Sequence, residues 1–164
     1  MHLSQVRIAA ICVCWGAFLS EGVTEEQKEK PSKPNLKLSA VEQKVLDLTN
    51  AERKKKDLPP LKADPVLCEV ARAHSANMAK QGAMKHDLDG KSPYDRIKAA
   101  GYRYAVAGEN LAKGDANPDD VMEAWMDSKD HREHILSPKF DEIGIGLAAD
   151  KREVYYTQVF GKQR

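Results

Sequence analysis

The segment IGIGLAADKREVYYTQVF, Ile143 to Phe160, reads as two β-strands and the turn between them. Ile143, Ile145 and Leu147 alternate with Gly144, Gly146 and Ala148, the period of two that sends successive side chains to opposite faces of a sheet. Val154 to Phe160 is rich in β-branched and aromatic residues, which suit a pleated, half-buried surface. Ala149-Asp150-Lys151-Arg152 lies between them as a hairpin turn region. Strands at the end of a chain that otherwise reads as helices point to an α+β fold, with helices packed on an antiparallel sheet.

Upstream, helix signals dominate. Ser39-Ala-Val-Glu42 is a capping-box pattern, in which serine and glutamate satisfy free amides at a helix start. Val41, Val45, Leu48 and Ala51 follow at helical spacing, and Leu58-Pro59-Pro60 ends the run. The basic stretch Arg53-Lys54-Lys55-Lys56 reads as the solvated end of this helix, since cations favour a helix C-terminus. Asp64-Pro65 starts a second helix with a cap and a first-turn proline. Its stripe is Leu67, Ala71, His74 and Met78, and Gly82 stops it. A short helix is expected near Tyr94–Ala100, ended by Gly101, and a short strand at Gly108–Ala112. Asn117-Pro118-Asp119-Asp120 opens a further helix that carries Val121, Trp125 and Ser128 and ends before Pro138.

The N-terminus has a different character. MHLSQVR carries one arginine, IAAICVCWGAFL is an uncharged apolar run of 12 residues, and small residues follow at Ser20 and Gly22. Residues 1–22 therefore read as a secretory signal peptide, and the run is short of the roughly 20 residues that a membrane span needs. Thr24 to Lys37 is charged, holds two prolines and has almost no apolar residue, so 23–37 reads as a flexible linker and 38–164 as one folded domain. Cys12 and Cys14 fall in the signal, leaving Cys68 alone and no internal disulfide. With 26 basic against 25 acidic side chains, there is no electrostatic case for nucleic acid. The expectation is a secreted or periplasmic, cysteine-poor protein with no stable membrane span in its mature form.

Four histidines remain after the signal: His74, His86, His131 and His134. His74 lies on an apolar helical stripe and reads as buried with a hydrogen-bond partner. His86 opens the turn-forming segment HDLDG, where aspartates before glycine bond nearby amides. Glu109, between Gly108 and Asn110, needs solvent or a partner if buried. The stretch SKDHREHIL, Ser128 to Leu136, lacks the H-E-x-x-H spacing of a helical zinc site. Spacing of three on a helix can still put the rings of His131 and His134 roughly on one side, while Asp130 and Glu133 can equally pair with Arg132 and Lys129 as solvent charges; His134 reads as surface or helix-end filler.

Taken in order, several segments resemble the CAP superfamily, the SCP-like extracellular domain of pathogenesis-related 1 proteins, cysteine-rich secretory proteins and venom antigens, in its compact bacterial branch. They are Asn50-Ala-Glu-Arg53, Ala73-His-Ser-Ala-Asn-Met78, Lys85-His86, Ser92-Pro-Tyr-Asp-Arg96, Ala100-Gly-Tyr102, Gly108-Glu-Asn-Leu-Ala112, Trp125 to Arg132, Gly144-Ile-Gly146 and Tyr155 to Gly161. The resemblance implies a three-layer α-β-α sandwich with a central, mostly antiparallel sheet and a polar cleft. In eukaryotic relatives that cleft holds two histidines and two glutamates, and some bind Zn2+ or another divalent cation there. Carried over, these positions fall on His86, Glu109 and His131 as the implied metal set, with Ser128 where the second glutamate stands. Two imidazoles and one carboxylate can make an open zinc site, poorer than one with two carboxylates.

Family members have been linked to lipid and sterol binding, to cell-wall or host interaction and to defence. The resemblance therefore implies a non-catalytic, monomeric binding module for a small ligand, lipid or cell-envelope component. The alternative is a peptidase- or esterase-like hydrolase in which His131, Glu109 and Ser128 supply base, acid and hydroxyl. No nucleophile-elbow pattern surrounds Ser128.

Overall fold

The computed structural model describes residues 36–115 and 117–164; the expected signal peptide and nearly all of the expected linker lie outside the described residues. The elements are α1 (Ala40–Lys54), β1 (Lys62–Ala63), α2 (Pro65–Gln81), α3 (Pro93–Ala99), β2 (Tyr104–Gly114), α4 (Pro118–Asp127), α5 (Lys129–Ile135), β3 (Glu142–Ala149) and β4 (Val154–Gln163). The capping signals act as read. Ser39 and Glu42 close a reciprocal box at α1, Asp64 accepts from Val66 and Leu67 amides at α2, and Gly82 ends α2 in the left-handed region at φ 60°.

The sheet order is β1-β3-β4-β2. The β3–β4 hairpin is its centre, and β2 and β4 pair antiparallel over almost the whole of β2. β1 adds a short parallel edge against Glu142 and Ile143. The pleat then sorts side chains into two layers. Gly144, Gly146, Thr157 and Val159 share one face, and α2 lies on it. The other face carries Ile143, Ile145, Tyr156 and Phe160, packed with Val45 of α1, Met122 and Trp125 of α4 and Ile135 of α5. The result is an α-β-α sandwich with α2 and α3 on one side and α1, α4 and α5 on the other.

Four sequence expectations need correction. The helix from Pro118 is not continuous to Pro138: it breaks at Ser128, whose backbone is extended (φ −81°, ψ 125°), and resumes as α5. The strand expected at 108–112 runs from Tyr104 to Gly114, because pairing with β4, not local apolar content, sets its length. The basic run at 53–56 is solvated only at its lysines; Arg53 is fully buried. Its Nε donates to Pro59 O at 2.9 Å and its Nη1 donates to Ile135 O and Ser137 O, both at 2.8 Å. The guanidinium thus closes the carbonyl end of α5, where the helix dipole is negative. The true inward face of α1 is Glu42, Val45, Leu46, Thr49 and Arg53, and Ala51 is exposed.

Candidate functional site

Edge strand β2 organises the polar residues. Glu109 pairs across to Val159 and Asn110 to Gln158, so neighbouring residues of one motif face opposite layers. Glu109 faces α2 and α3. Asn110 and Gly108 face α5.

On the first side, the Glu109 side chain is only 2% exposed. Arg96 Nη2 donates to Glu109 Oε2 at 2.8 Å, and His86 Nδ1 lies 2.8 Å from Oε1. His74 Nε2 stands 3.9 Å from the same oxygen and donates to Lys85 O at 3.0 Å. Arg96 Nη1 also donates to the carbonyls of His86 and Lys91, so one guanidinium holds both the carboxylate and the loop that carries His86. The short helix α3 positions Arg96. Ser92 and Asp95 form a capping box and Pro93 occupies the first turn, which sets the helix with little cost in order.

On the second side, Asn110 is fully buried. Its Nδ2 donates to His131 O at 3.1 Å and to Gln158 Oε1 at 3.2 Å. His134 Nδ1 lies 2.8 Å from Asn110 Oδ1. His134 is therefore not helix-end filler: it is half-buried, bonded, and packed near Phe140 and Phe160 at ring separations of 6.2 and 6.0 Å. A Cβ on Gly108 would come within 3.1 Å of its ring, so the glycine of Gly108-Glu109-Asn110 makes room for this imidazole.

Of the expected set of His86, Glu109, Ser128 and His131, Glu109 rises from one face of edge strand β2 while Ser128 and His131 belong to the α4–α5 segment, and the charge of His86 reaches His131. His86 and Glu109 touch. His131 is half-buried on α5 and meets β2 through its backbone carbonyl. Ser128 sits at the α4–α5 junction and its side chain makes no cap bond. Sequence reasoning singled out neither Arg96 nor the contact of His74 with Glu109. The one available signal was the capped turn Ser92 to Arg96, which fixes where α3 begins.

The expected metal set of His86, Glu109 and His131 does not fit a divalent ion. Among the described residues no three His, Cys, Asp or Glu side chains are grouped to hold one. The reason is chemical. Both oxygens of Glu109 are engaged, and the guanidinium of Arg96 stands where a second positive charge would be repelled.

Electrostatics follow from this layout. The hydrogen bond to Glu109 raises His86 above its usual value, against the opposing effect of burial. Burial lowers His74, and burial followed by the charge of His86 lowers both His131 and His134. Because the folded pKa of His86 is raised, its ion pair contributes fully below the unfolded value of about 6.5 and is lost as pH rises through the folded value. The other three histidines act in the opposite sense. Their unfolded forms bind more protons, so stability falls as pH drops below about 6.5. Titration of the imidazole signals by NMR should place His86 highest of the four, and Glu109→Gln should bring it down toward the ordinary range. An unchanged His86 midpoint in that variant would refute the pairing.

A model of the cysteine-rich secretory protein family, CAP, matches residues 46–160. The chain belongs to this family. It is 40% identical over 140 residues to YkwD of Bacillus subtilis, covering 85% of this chain and 54% of that protein. The CAP fold is shared with an extracellular SCP-domain protein of Bacillus anthracis, at TM-score 0.69 and 27% identity, covering 79% of this chain and 45% of that one. An outer surface protein of Borrelia burgdorferi superposes at TM-score 0.73 with 23% identity, over 80% of this chain and 99% of its own. The CAP domain here thus spans about half the length of the two Bacillus proteins.

Proposed function

We propose that this CAP domain is an exported, monomeric and non-catalytic binding module for a small ligand, lipid or other component of the cell envelope. The recognition surface is the cleft around β2: His86, Glu109 and Arg96, with His131 and Ser128 of the α4–α5 segment. One observation carries this reading. The Glu109 carboxylate, the strongest candidate for acid–base work, has one oxygen on Arg96 and the other on His86. A carboxylate whose two oxygens are already engaged by a guanidinium and an imidazole presents neither oxygen free to exchange a proton with a substrate. The extracellular and outer-surface descriptions of the Bacillus anthracis and Borrelia proteins support export, as does the apolar N-terminal run. No helix among the described residues is long and apolar enough to cross a membrane.

The hydrolase alternative loses support on geometry. It needs Ser128, His131 and Glu109 to act together, yet among the described residues no hydrogen bond joins any two of these side chains, and the Glu109 oxygens are engaged by His86 and Arg96. Pure protein incubated with a broad peptide and ester panel is expected to show no turnover. Turnover that disappears in both Ser128→Ala and His131→Ala would overturn the proposal.

A further inference from the structure

The fully buried side chains of Asn110, Gln158 and Thr49 form a hydrogen-bonded chain whose direction is forced. Thr49 Oγ1 donates to Val45 O at 2.8 Å, and a carbonyl can only accept. Thr49 therefore accepts from Gln158 Nε2 at 2.9 Å, which leaves Gln158 Oε1 as an acceptor for Asn110 Nδ2. The orientation of Asn110 is fixed a second time, because the same Nδ2 meets His131 O, another carbonyl. Asn110 Oδ1 can then only accept, and His134 Nδ1 must be the donor. The order runs His134 to Asn110 to Gln158 to Thr49 to the α1 backbone, with no bond reversible without breaking another.

We infer that Asn110 is a positioning residue that holds neutral His134 in its Nδ1–H form, so that the Nε2 lone pair is presented beside Gly108 as the cleft's acceptor for an O–H or N–H of the ligand. Two further observations agree. No side-chain donor among the described residues is bonded to Nε2, and the other group that hydrogen-bonds the ring, the Glu109 backbone carbonyl, can only accept. Phe140, Phe160 and the open Gly108 position fix the plane of the ring. An imidazole in solution interchanges its two neutral forms; one locked at Nδ1 offers a single, aimed acceptor.

The role toward ligand rests on the binding-module reading, but the tautomer does not, and it is measured on the ligand-free protein. Nitrogen-15 spectra of the imidazole rings, taken well above the His134 midpoint, are expected to show Nδ1 protonated and Nε2 bare. Asn110→Asp keeps the acceptor, so the Nδ1–H form persists and the added charge raises the His134 midpoint. Gln158→Glu preserves an acceptor for Asn110 and leaves the tautomer unchanged. A wild-type spectrum with Nε2 protonated, or with both forms in fast exchange, overturns the inference whatever the cleft binds. Should the tautomer hold while no envelope component perturbs the cleft, the positioning stands and the binding reading fails.

Discussion

Replacing Gly144 by alanine is expected to cost about 3 kcal/mol, the upper end for an overpacked core. A Cβ there would lie 2.0 Å from the Leu67 carbonyl carbon and 2.1 Å from its oxygen. These are backbone atoms of α2, so no side-chain rotation relieves the overlap and the whole helix must lift from the sheet. Gly146 repeats the arrangement one pleat along, with Ala71 and Arg72 backbone at 2.3 and 2.2 Å. Lifting α2 would strip the apolar contacts of Leu67, Val70 and Ala71, and would part Ser75 from its bonds to Gly146 O and Thr157. Chemical denaturation checks the prediction; a loss below about 1 kcal/mol, the size of an ordinary substitution, would show that the helix is not seated as described.

Arg53 should be the most sensitive charged residue. Arg53→Met removes the donor shared by Pro59, Ile135 and Ser137 carbonyls and strands them in a nearly dry environment, at about 1–3 kcal/mol for each buried group left unpaired. Burial also lowers the guanidinium's pKa, yet arginine stays charged at any ordinary pH. Its charge is balanced by carbonyl dipoles at the end of α5. Arg53→Lys keeps the charge but loses the planar fork that reaches two segments at once, so it should recover only part of the loss. Thermal melting of both variants distinguishes the two effects. A methionine variant as stable as the parent would mean that the carbonyls find water instead.

Much of this architecture was legible in the sequence because it is local. Capping boxes at Ser39 and Ser92, the Asp64-Pro65 start and the alternation after Ile143 act within a few residues. What escaped was set by contacts distant along the chain. β1 is two residues long and exists through its pairing with Glu142 and Ile143. Arg53 is a helix-end cation by pattern but lies buried because α5 ends above it. His134 looked like a surface residue until β2 placed Asn110 beneath it. The alternating glycines showed a strand but not its reason, the close approach of α2. The site itself was half legible. Glu109 and His86 came together as expected. Arg96 lies within a family segment, but its role depends on where α3 lands, and the pleat that turns Glu109 and Asn110 to opposite faces is a property of the sheet register.

The central claim is that the polar cleft around β2 recognises a ligand without metal or turnover. Chemical-shift mapping of the isotope-labelled protein against a fractionated cell-envelope extract tests it most directly. Perturbations concentrated at His86, Arg96, Glu109 and His134, and lost in His86→Ala, are the expected result. Perturbations confined to surfaces away from β2, or identical in the variant, would contradict it.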